Sequence, residues 1–207
     1  SEAQRSSEAD DTFVLLDGDT VVASTPMRRI RETLLMVNTD LYRTGLTSLE
    51  DVTVPSILRE LSGTVFRLAG YPDSNTEKLV LTLMARYIEQ QAWRHEDGVV
   101  RASFQRLSRL YDEKGTRRVY ERLGALPGLE VHAYGAPDED PPAEFPVTIH
   151  GLRSEELRQS WFVVHRTDDG ESVGMLARER RPNEWDGFWT FDGDEIRALD
   201  EYIRRSF

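Results

Sequence analysis

The last third of the chain, from Trp161 to Phe207, constrains the fold more than any other segment. Apolar and aromatic residues run from Trp161 to His165, from Val173 to Ala177 and from Trp185 to Phe191. Short polar segments separate the three runs, which is the pattern of strands joined into an antiparallel meander. A helix is predicted to begin near Asp192 and to continue to the end of the chain.

The most regular helical pattern lies further upstream. Ser74 and Glu77 have the spacing of a capping box at a helix start. Apolar residues then recur every three or four positions, at Leu79, Val80, Leu83, Met84, Tyr87, Ile88 and Ala92. This spacing gives the helix one apolar face, which we expect to pack against a sheet.

Four further apolar segments complete the predicted sheet, at residues 64–69, 99–104, 129–134 and 145–149. A second helix is expected from about Thr116 to Leu123, between two of these strands. The sequence therefore predicts an α+β (mixed α/β) fold. Its central sheet is largely antiparallel, contains the C-terminal three-stranded meander, and is covered by helices.

Three segments are expected along the chain. Residues 1–11 are polar and acidic and are predicted to be a mobile tail. Residues 12–62 contain two short apolar runs on either side of Asp17-Gly18, a pair that favours a hairpin turn, followed by predicted helices. Residues 63–207 are expected to form the main domain.

Composition excludes several classes of protein. The chain has 207 residues and a net charge of −11, which argues against a nucleic-acid-binding surface. It has no cysteine, and no apolar run approaches the roughly 20 residues that would cross a bilayer. Only Lys78 and Lys114 are lysines among its 26 basic residues. An acidic chain with so little lysine is typical of a halophilic cytoplasm, and a GC-rich genome, which favours arginine over lysine, is the alternative. The lack of cysteine, of a membrane-spanning run and of a basic face leads us to expect a cytoplasmic protein that binds neither membrane nor nucleic acid.

The sequence does not predict an enzyme. The four histidines, His95, His132, His150 and His165, lack metal-ligand spacing. Ser108 lacks the setting of an activated nucleophile, and no base can be assigned to it. We therefore predict no catalytic residue, no metal site and no cofactor.

Charged and amide side chains follow two predicted strands. Gln105, Arg106 and Arg109 come after one strand, and Arg178, Glu179 and Arg180 end another. Of these we predict Gln105, Arg106, Arg178 and Glu179 as ligand contacts. If these strand ends are neighbours, their guanidinium and amide groups would form the rim of a ligand pocket, because arginine suits carboxylate and phosphate ligands. The alternative is a structural arginine–glutamate cluster that involves Glu89 or Glu179.

Aromatic residues of the meander are candidates for an aromatic ligand cavity. Trp161, Phe188 and Trp189 are the members of this set that we predict as ligand contacts. Ordinary packing in the core is the alternative for each of them. On a strand Trp189 faces away from Phe188, so only one of these two neighbours can belong to a given pocket wall.

Several blocks resemble the DICT family of sensory domains, in the same order along the chain. They are Ala85–Trp93, Phe104–Leu110, Val131–Pro137, Trp161–Val164 and Gly187–Asp192. The resemblance covers roughly residues 65–207, and versions from halophilic archaea are the most similar. It implies a DICT-like sensory domain over residues 63–207.

The resemblance also implies a function. DICT domains occur with cyclases, phosphodiesterases and histidine kinases and are regarded as sensory, with a suggested response to light or to the environment. We expect a non-catalytic signal-input domain whose partner is a histidine kinase, response regulator or cyclase-type protein. The alternative is an interaction module that forms homodimers or docks a partner without a small-molecule ligand.

Overall fold

The computed structural model describes residues 12–32, 60–69, 76–112, 114–169, 171–182 and 184–207. The strands are β1 (Thr12–Asp17), β2 (Thr20–Pro26), β3 (Thr64–Ala69), β4 (Asp97–Arg106), β5 (Gly128–Ala136), β6 (Thr148–Gly151), β7 (Ser160–Arg166), β8 (Val173–Arg181) and β9 (Glu184–Thr190). The helices are α1 (Thr76–His95), α2 (Ser108–Asp112), α3 (Lys114–Gly124), α4 (Glu155–Gln159) and α5 (Gly193–Ser206). Residues 27–32 are also helical.

The main sheet has seven strands in the order β3-β9-β8-β7-β4-β5-β6. Strands β7, β8 and β9 are antiparallel neighbours, so the predicted C-terminal meander is confirmed. The pairs β3-β9 and β4-β7 are antiparallel as well, whereas β5 pairs in parallel with both β4 and β6. The predicted α+β fold with a largely antiparallel central sheet is therefore confirmed.

Helices cover both faces of the sheet, because side chains of a strand point alternately to opposite faces. On the face covered by α1, α2 and α3, here called the α1 face, the core includes Val100, Val163 and Met175. On the face covered by α4 and α5, here called the α5 face, Phe162 and Val164 belong to a second apolar cluster. Residues 99–102 of β4 therefore lie between two helical layers.

The two covering helices match their sequence patterns. The predicted apolar stripe of α1 contributes Val80, Leu83, Met84, Ile88 and Ala92 to the core. Asp192 caps α5 by accepting hydrogen bonds from the backbone amides of Asp194 and Glu195, and Ile196, Leu199 and Ile203 form its inner stripe. The position predicted to begin the α1 capping box, Ser74, lies outside the described residues.

The predicted N-terminal hairpin is present as a two-stranded sheet of β1 and β2. Phe13 and Leu15 from this hairpin pack against the α1-face core, to which Met27 and Ile30 also belong. The predicted tail at residues 1–11 lies outside the described residues, and the division of the chain at residues 62 and 63 stays a prediction.

The chain enters β4 through Gly98, which has a φ of +89°. A Cβ atom at this position would overlap the backbone carbonyl oxygen of Arg166 on the neighbouring strand. Both the backbone conformation and the close approach of β7 therefore favour glycine at this position.

We predict that Gly98→Ala lowers the free energy of unfolding by about 3 kcal/mol, from backbone strain and overpacking. The matched control is Gly193→Ala, because a Cβ atom there would have no heavy atom within 4 Å. Urea denaturation followed by circular dichroism measures both variants. Equal stabilities of the two variants would contradict the assignment of Gly98 as a packing constraint.

Candidate ligand-binding cleft

Strands β4 and β7 separate at one end, and this separation opens a cleft. Their backbone pairing runs from Val99 with Arg166 to Ala102 with Val163. At the next position the Ser103 hydroxyl replaces a backbone partner. It accepts a hydrogen bond from the Phe162 amide at 2.8 Å and donates one to the Ser160 carbonyl at 3.2 Å.

The separation lies where the connections between strands change from one face of the sheet to the other. From β4 the chain crosses the α1 face through α2 and α3 to reach β5 on one side. It returns across the α5 face through α4 to reach β7 on the other side of β4. In open α/β sheets, ligands bind in the crevice at such a switch point, beside the carboxyl ends of the strands.

The cleft has a volume of about 270 Å³ and lies between α1 and the parted strands. Side chains from α1, α2, α3, β4, β7, β8 and β9 line it. Its apolar walls contain two edge-to-face aromatic pairs. Phe104 and Tyr120 have ring centroids 5.2 Å apart, and those of Trp161 and Trp185 are 6.2 Å apart.

An ion pair lies in the α1 wall of the cleft. Arg86 Nη1 is 2.6 Å from Glu89 Oε2, and Arg86 Nη2 donates to Thr116 Oγ1 at 2.9 Å. The Arg86 and Glu89 side chains are only 13% and 4% exposed, so solvent screens this pair less than a surface pair. The predicted alternative of a structural arginine–glutamate contact therefore exists at Glu89.

Two of the lining residues carry buried donors. The Trp185 indole nitrogen has no hydrogen-bond partner in the part of the chain that the structure describes, and the Tyr120 hydroxyl lies beside the Glu89 carboxylate. Burial, followed by the nearby Glu89 carboxylate, raises the pKa of Tyr120 well above its usual value of 10. The hydroxyl consequently stays protonated near neutral pH, with the Glu89 carboxylate as its neighbouring acceptor.

The polar rim of the cleft carries both signs of charge. Gln105 accepts a hydrogen bond from Arg109 Nη1 at 2.7 Å. Lys78 lies on the α1 side, and Glu179 lies at the end of β8. With Arg86 and Glu89, the lining residues include three basic and two acidic side chains in a protein whose net charge is −11.

Three of the seven side chains that the sequence predicts as ligand contacts meet in this cleft. Gln105 lies at the end of β4, Trp161 near the start of β7 and Glu179 near the end of β8. The ends of β4 and β8 therefore both line this one cleft.

The structure places the other four predicted contacts away from the cleft lining. Arg106 is exposed, and Arg178 donates across the α5 face to Gln159 Oε1 at 3.4 Å. Trp189 is fully buried in the core, with its ring centroid 5.8 Å from that of Tyr87. Phe188, its strand neighbour, points to the opposite face. Strand alternation therefore separates residues that are adjacent in sequence.

Sequence reasoning missed the α1 wall, together with Tyr120 and Ser103. One signal was present: Thr82, Ala85 and Glu89 recur every three or four positions beside the apolar stripe of α1. Positions directly beside an apolar stripe lie at the edge of the buried face of a helix. Tyr120 carries no comparable signal, because its position in the cleft depends on how α3 packs.

The fold and the cleft define an α+β domain with a site of small-molecule size. The chain belongs to the DICT family, the sensory domain in diguanylate cyclases and two-component systems, whose model matches residues 55–180. Neither a curated protein nor a solved structure matches this chain. Among the described residues, no helix has the length and apolar character required to span a membrane.

We predict that Ser103→Ala lowers the free energy of unfolding by about 2 kcal/mol, because the buried Phe162 amide loses its acceptor. Ser24→Ala is the matched control, since Ser24 is an exposed strand residue of β2. Thermal and urea denaturation measure the difference. If both serine variants are as stable as the parent, Ser103 does not bridge the parted strands.

Proposed function

We propose that this domain is a non-catalytic signal-input domain that binds a small ligand in the cleft between β4 and β7. The observation that carries this proposal is a cleft of about 270 Å³ with aromatic walls at the switch point of the sheet. Pockets that bind small molecules are concave and largely apolar, with a few polar groups that orient the ligand. Gln105, Trp161 and Glu179 are the proposed contacts at its edge.

A buried ionic cluster supports a route by which ligand binding reaches the α5 face. Asp200 on α5 bonds Arg101 of β4 through one carboxylate oxygen, and its other oxygen is 3.3 Å from Arg166 of β7. The same Arg101 donates to the Tyr134 hydroxyl at 2.9 Å. Both strands that border the cleft are thus joined to one side chain of α5.

This arrangement suggests how the signal is relayed. We infer that a ligand which changes the separation of β4 and β7 also moves Arg101 and Arg166 relative to Asp200. The ligand would then shift the population between two positions of α5, provided that it binds one of them more tightly. The partner that distinguishes these positions would be a histidine kinase, a response regulator or a cyclase-type protein, in keeping with the family.

The alternative function is an interaction module that forms homodimers or docks a partner without a small ligand. It is favoured by the outer face of the N-terminal hairpin, where Val14, Leu16, Val21 and Val22 are exposed. Exposed apolar clusters of this kind occur at protein–protein contacts.

The first experiment screens metabolites, nucleotides and chromophores for thermal stabilisation of the domain. We expect stabilisation by at least one compound, with a size set by its concentration relative to Kd. Thr82→Phe should abolish the shift by filling the cleft mouth, because Thr82 lines the cleft and is partly exposed. Ala198→Phe, at an exposed position on α5, is the matched control.

Two results would contradict the proposal of a ligand in the cleft. Absence of stabilisation by every compound, together with a dimeric mass in light scattering, would favour the interaction module. Stabilisation that persists in the Thr82→Phe variant would place the ligand elsewhere on the molecule.

We predict that Asp200→Asn lowers the free energy of unfolding by about 3 kcal/mol, because it leaves the buried Arg101 charge uncompensated. The cleft itself should persist, since Asp200 lies on the opposite face of the sheet, but ligand affinity should change because coupling between two sites is reciprocal. Asp194→Asn is the control, because its ion pair with Arg197 is exposed. Urea denaturation measures the free energy of unfolding, and calorimetry measures the ligand affinity. Unchanged stability of the Asp200 variant would remove the proposed relay.

A further inference from the structure

We propose that the domain responds to acid through the pair His132–His150, and that this response reaches α5 through Tyr134 and Arg101. Histidine is the side chain whose charge ordinarily changes between about pH 5 and 8. The response requires no ligand in the cleft, so it goes beyond the proposed function. It follows from the geometry of the pair, from the charges around it and from the contacts that join it to α5.

The two histidines lie on neighbouring strands and face each other. His132 is on β5 and His150 is on the edge strand β6, with their ring centroids 5.3 Å apart. His132 Nδ1 and His150 Nε2 are 3.1 Å apart, which is the separation of a hydrogen bond. Such a bond joins one N–H donor to one bare ring nitrogen. If both rings are protonated, two N–H groups of like charge face each other and the bond is lost.

The first and the second proton differ in cost. A protonated His132 can still donate from Nδ1 to His150, and its Nε2 is 3.7 Å from the Glu130 carboxylate. A second proton, on His150, would face His132 and Arg101, and no carboxylate among the described residues forms an ion pair with it. The two histidines therefore titrate as a coupled pair, in which the second proton is the unfavourable one.

Burial and positive charge oppose protonation of both rings. Burial, followed by the Arg101 guanidinium, lowers the pKa of His150 below its ordinary value of 6.5. The same two causes lower the pKa of His132, and Glu130 offsets them only in part. The unfolded chain therefore binds these protons more tightly than the folded domain does. Stability is complete above about pH 6.5 and falls as the pH drops through the lowered pKa values.

The other charged and titratable groups near the pair come from β4, β5, α4 and α5. Those of β4, β5 and α5 are Arg101, Glu130, Tyr134, Asp200 and Arg204. Those of α4 are Glu155, Glu156 and Arg158, which pair with each other or with Tyr202. Asp200 is already bonded to Arg101 and Arg166. Of these described carboxylates, only Glu130 contacts the histidine pair, and it is 76% exposed.

A continuous series of contacts joins the pair to α5. His150 stacks on Tyr134, with ring centroids 4.3 Å apart and an interplanar angle of 7°. The Tyr134 hydroxyl accepts a hydrogen bond from Arg101 at 2.9 Å, and Arg101 is bonded to Asp200 of α5.

Protonation acts on this series in two ways. Each added charge repels the Arg101 guanidinium, because the electrostatic effect of Arg101 on the histidines is mutual. Loss of the bond to His132 also removes the contact that orients the His150 ring over Tyr134. Both effects weaken the attachment of Arg101 to Asp200, so acid should increase the opening of α5.

The test measures amide hydrogen exchange of α5 in the ligand-free domain at about pH 7 and about pH 5.5. Protection factors are compared, because they correct for the intrinsic effect of pH on exchange. We expect protection around Asp200 to fall at the lower pH, by up to about ten-fold for each histidine that stays neutral only in the closed state. The fall should be smaller in His150→Gln, since glutamine can still bond to His132 but takes up no proton.

His95→Gln is the matched control and should respond to pH as the parent does. His95 belongs to α1 and contacts Glu171 instead of the pair. Burial lowers the pKa of His165 as well, but His165 is present in the parent and in both variants, so its contribution cancels in the comparison.

An NMR titration of the histidine rings in the parent domain provides a check that does not depend on a variant. His132 and His150 should both titrate below about pH 6.5. Titration of both rings at the ordinary pKa overturns the acid response. Equal pH dependence of α5 protection in the parent and His150→Gln also overturns it, as does α5 protection that is the same at both pH values. None of these results bears on the proposed function, because no ligand is present in the experiments.

Discussion

The early end of the pairing between β4 and β7 is the feature on which the rest of the site depends. The ladder stops at Ala102 and Val163, and the Ser103 hydroxyl satisfies backbone groups beyond that point. Residues on either side of the separation, Ser103 to Gln105 on β4 and Ser160 and Trp161 on β7, line the cleft. Since buried backbone groups must be paired, a side chain that bridges the strands is what permits them to separate.

Strand alternation places the two functional features on opposite faces of the same strand. Ala102 and Phe104 face α1, and Phe104 lines the cleft, whereas Arg101 faces α5 and bonds Asp200. Removing one partner from a buried ion pair costs about 3–5 kcal/mol, so the Arg101–Asp200 pair strongly stabilises the position of α5 on the sheet. Ligand occupancy and the position of α5 would therefore be coupled through β4 and β7, with no other element between the cleft and α5.

Much of the fold could be predicted from the sequence because it rests on local patterns. The meander, the α1 stripe and the cap at Asp192 each follow from the spacing of residues close together in the chain. The helix α2 had no such pattern, because its five residues are too few to show a period. It brings Arg109, which the sequence pattern already places near the rim, to the cleft.

The site was less predictable, for two physical reasons. Adjacent residues of a strand face opposite ways, so Arg178 and Glu179 could not both belong to one pocket. The Arg86–Glu89 pair and Tyr120 meet the strand ends only through the packing of α1 and α3 against the sheet. Such contacts between distant segments leave no periodic signal in the sequence.

Hydrogen exchange of the free and ligand-saturated domain tests the central claim most directly. The account predicts that a ligand which stabilises the domain changes amide protection in two places at once, at the start of β7 beside the cleft and in α5 around Asp200. Changes confined to the cleft, with α5 exchanging at the same rate in both states, would contradict the coupling between the cleft and α5.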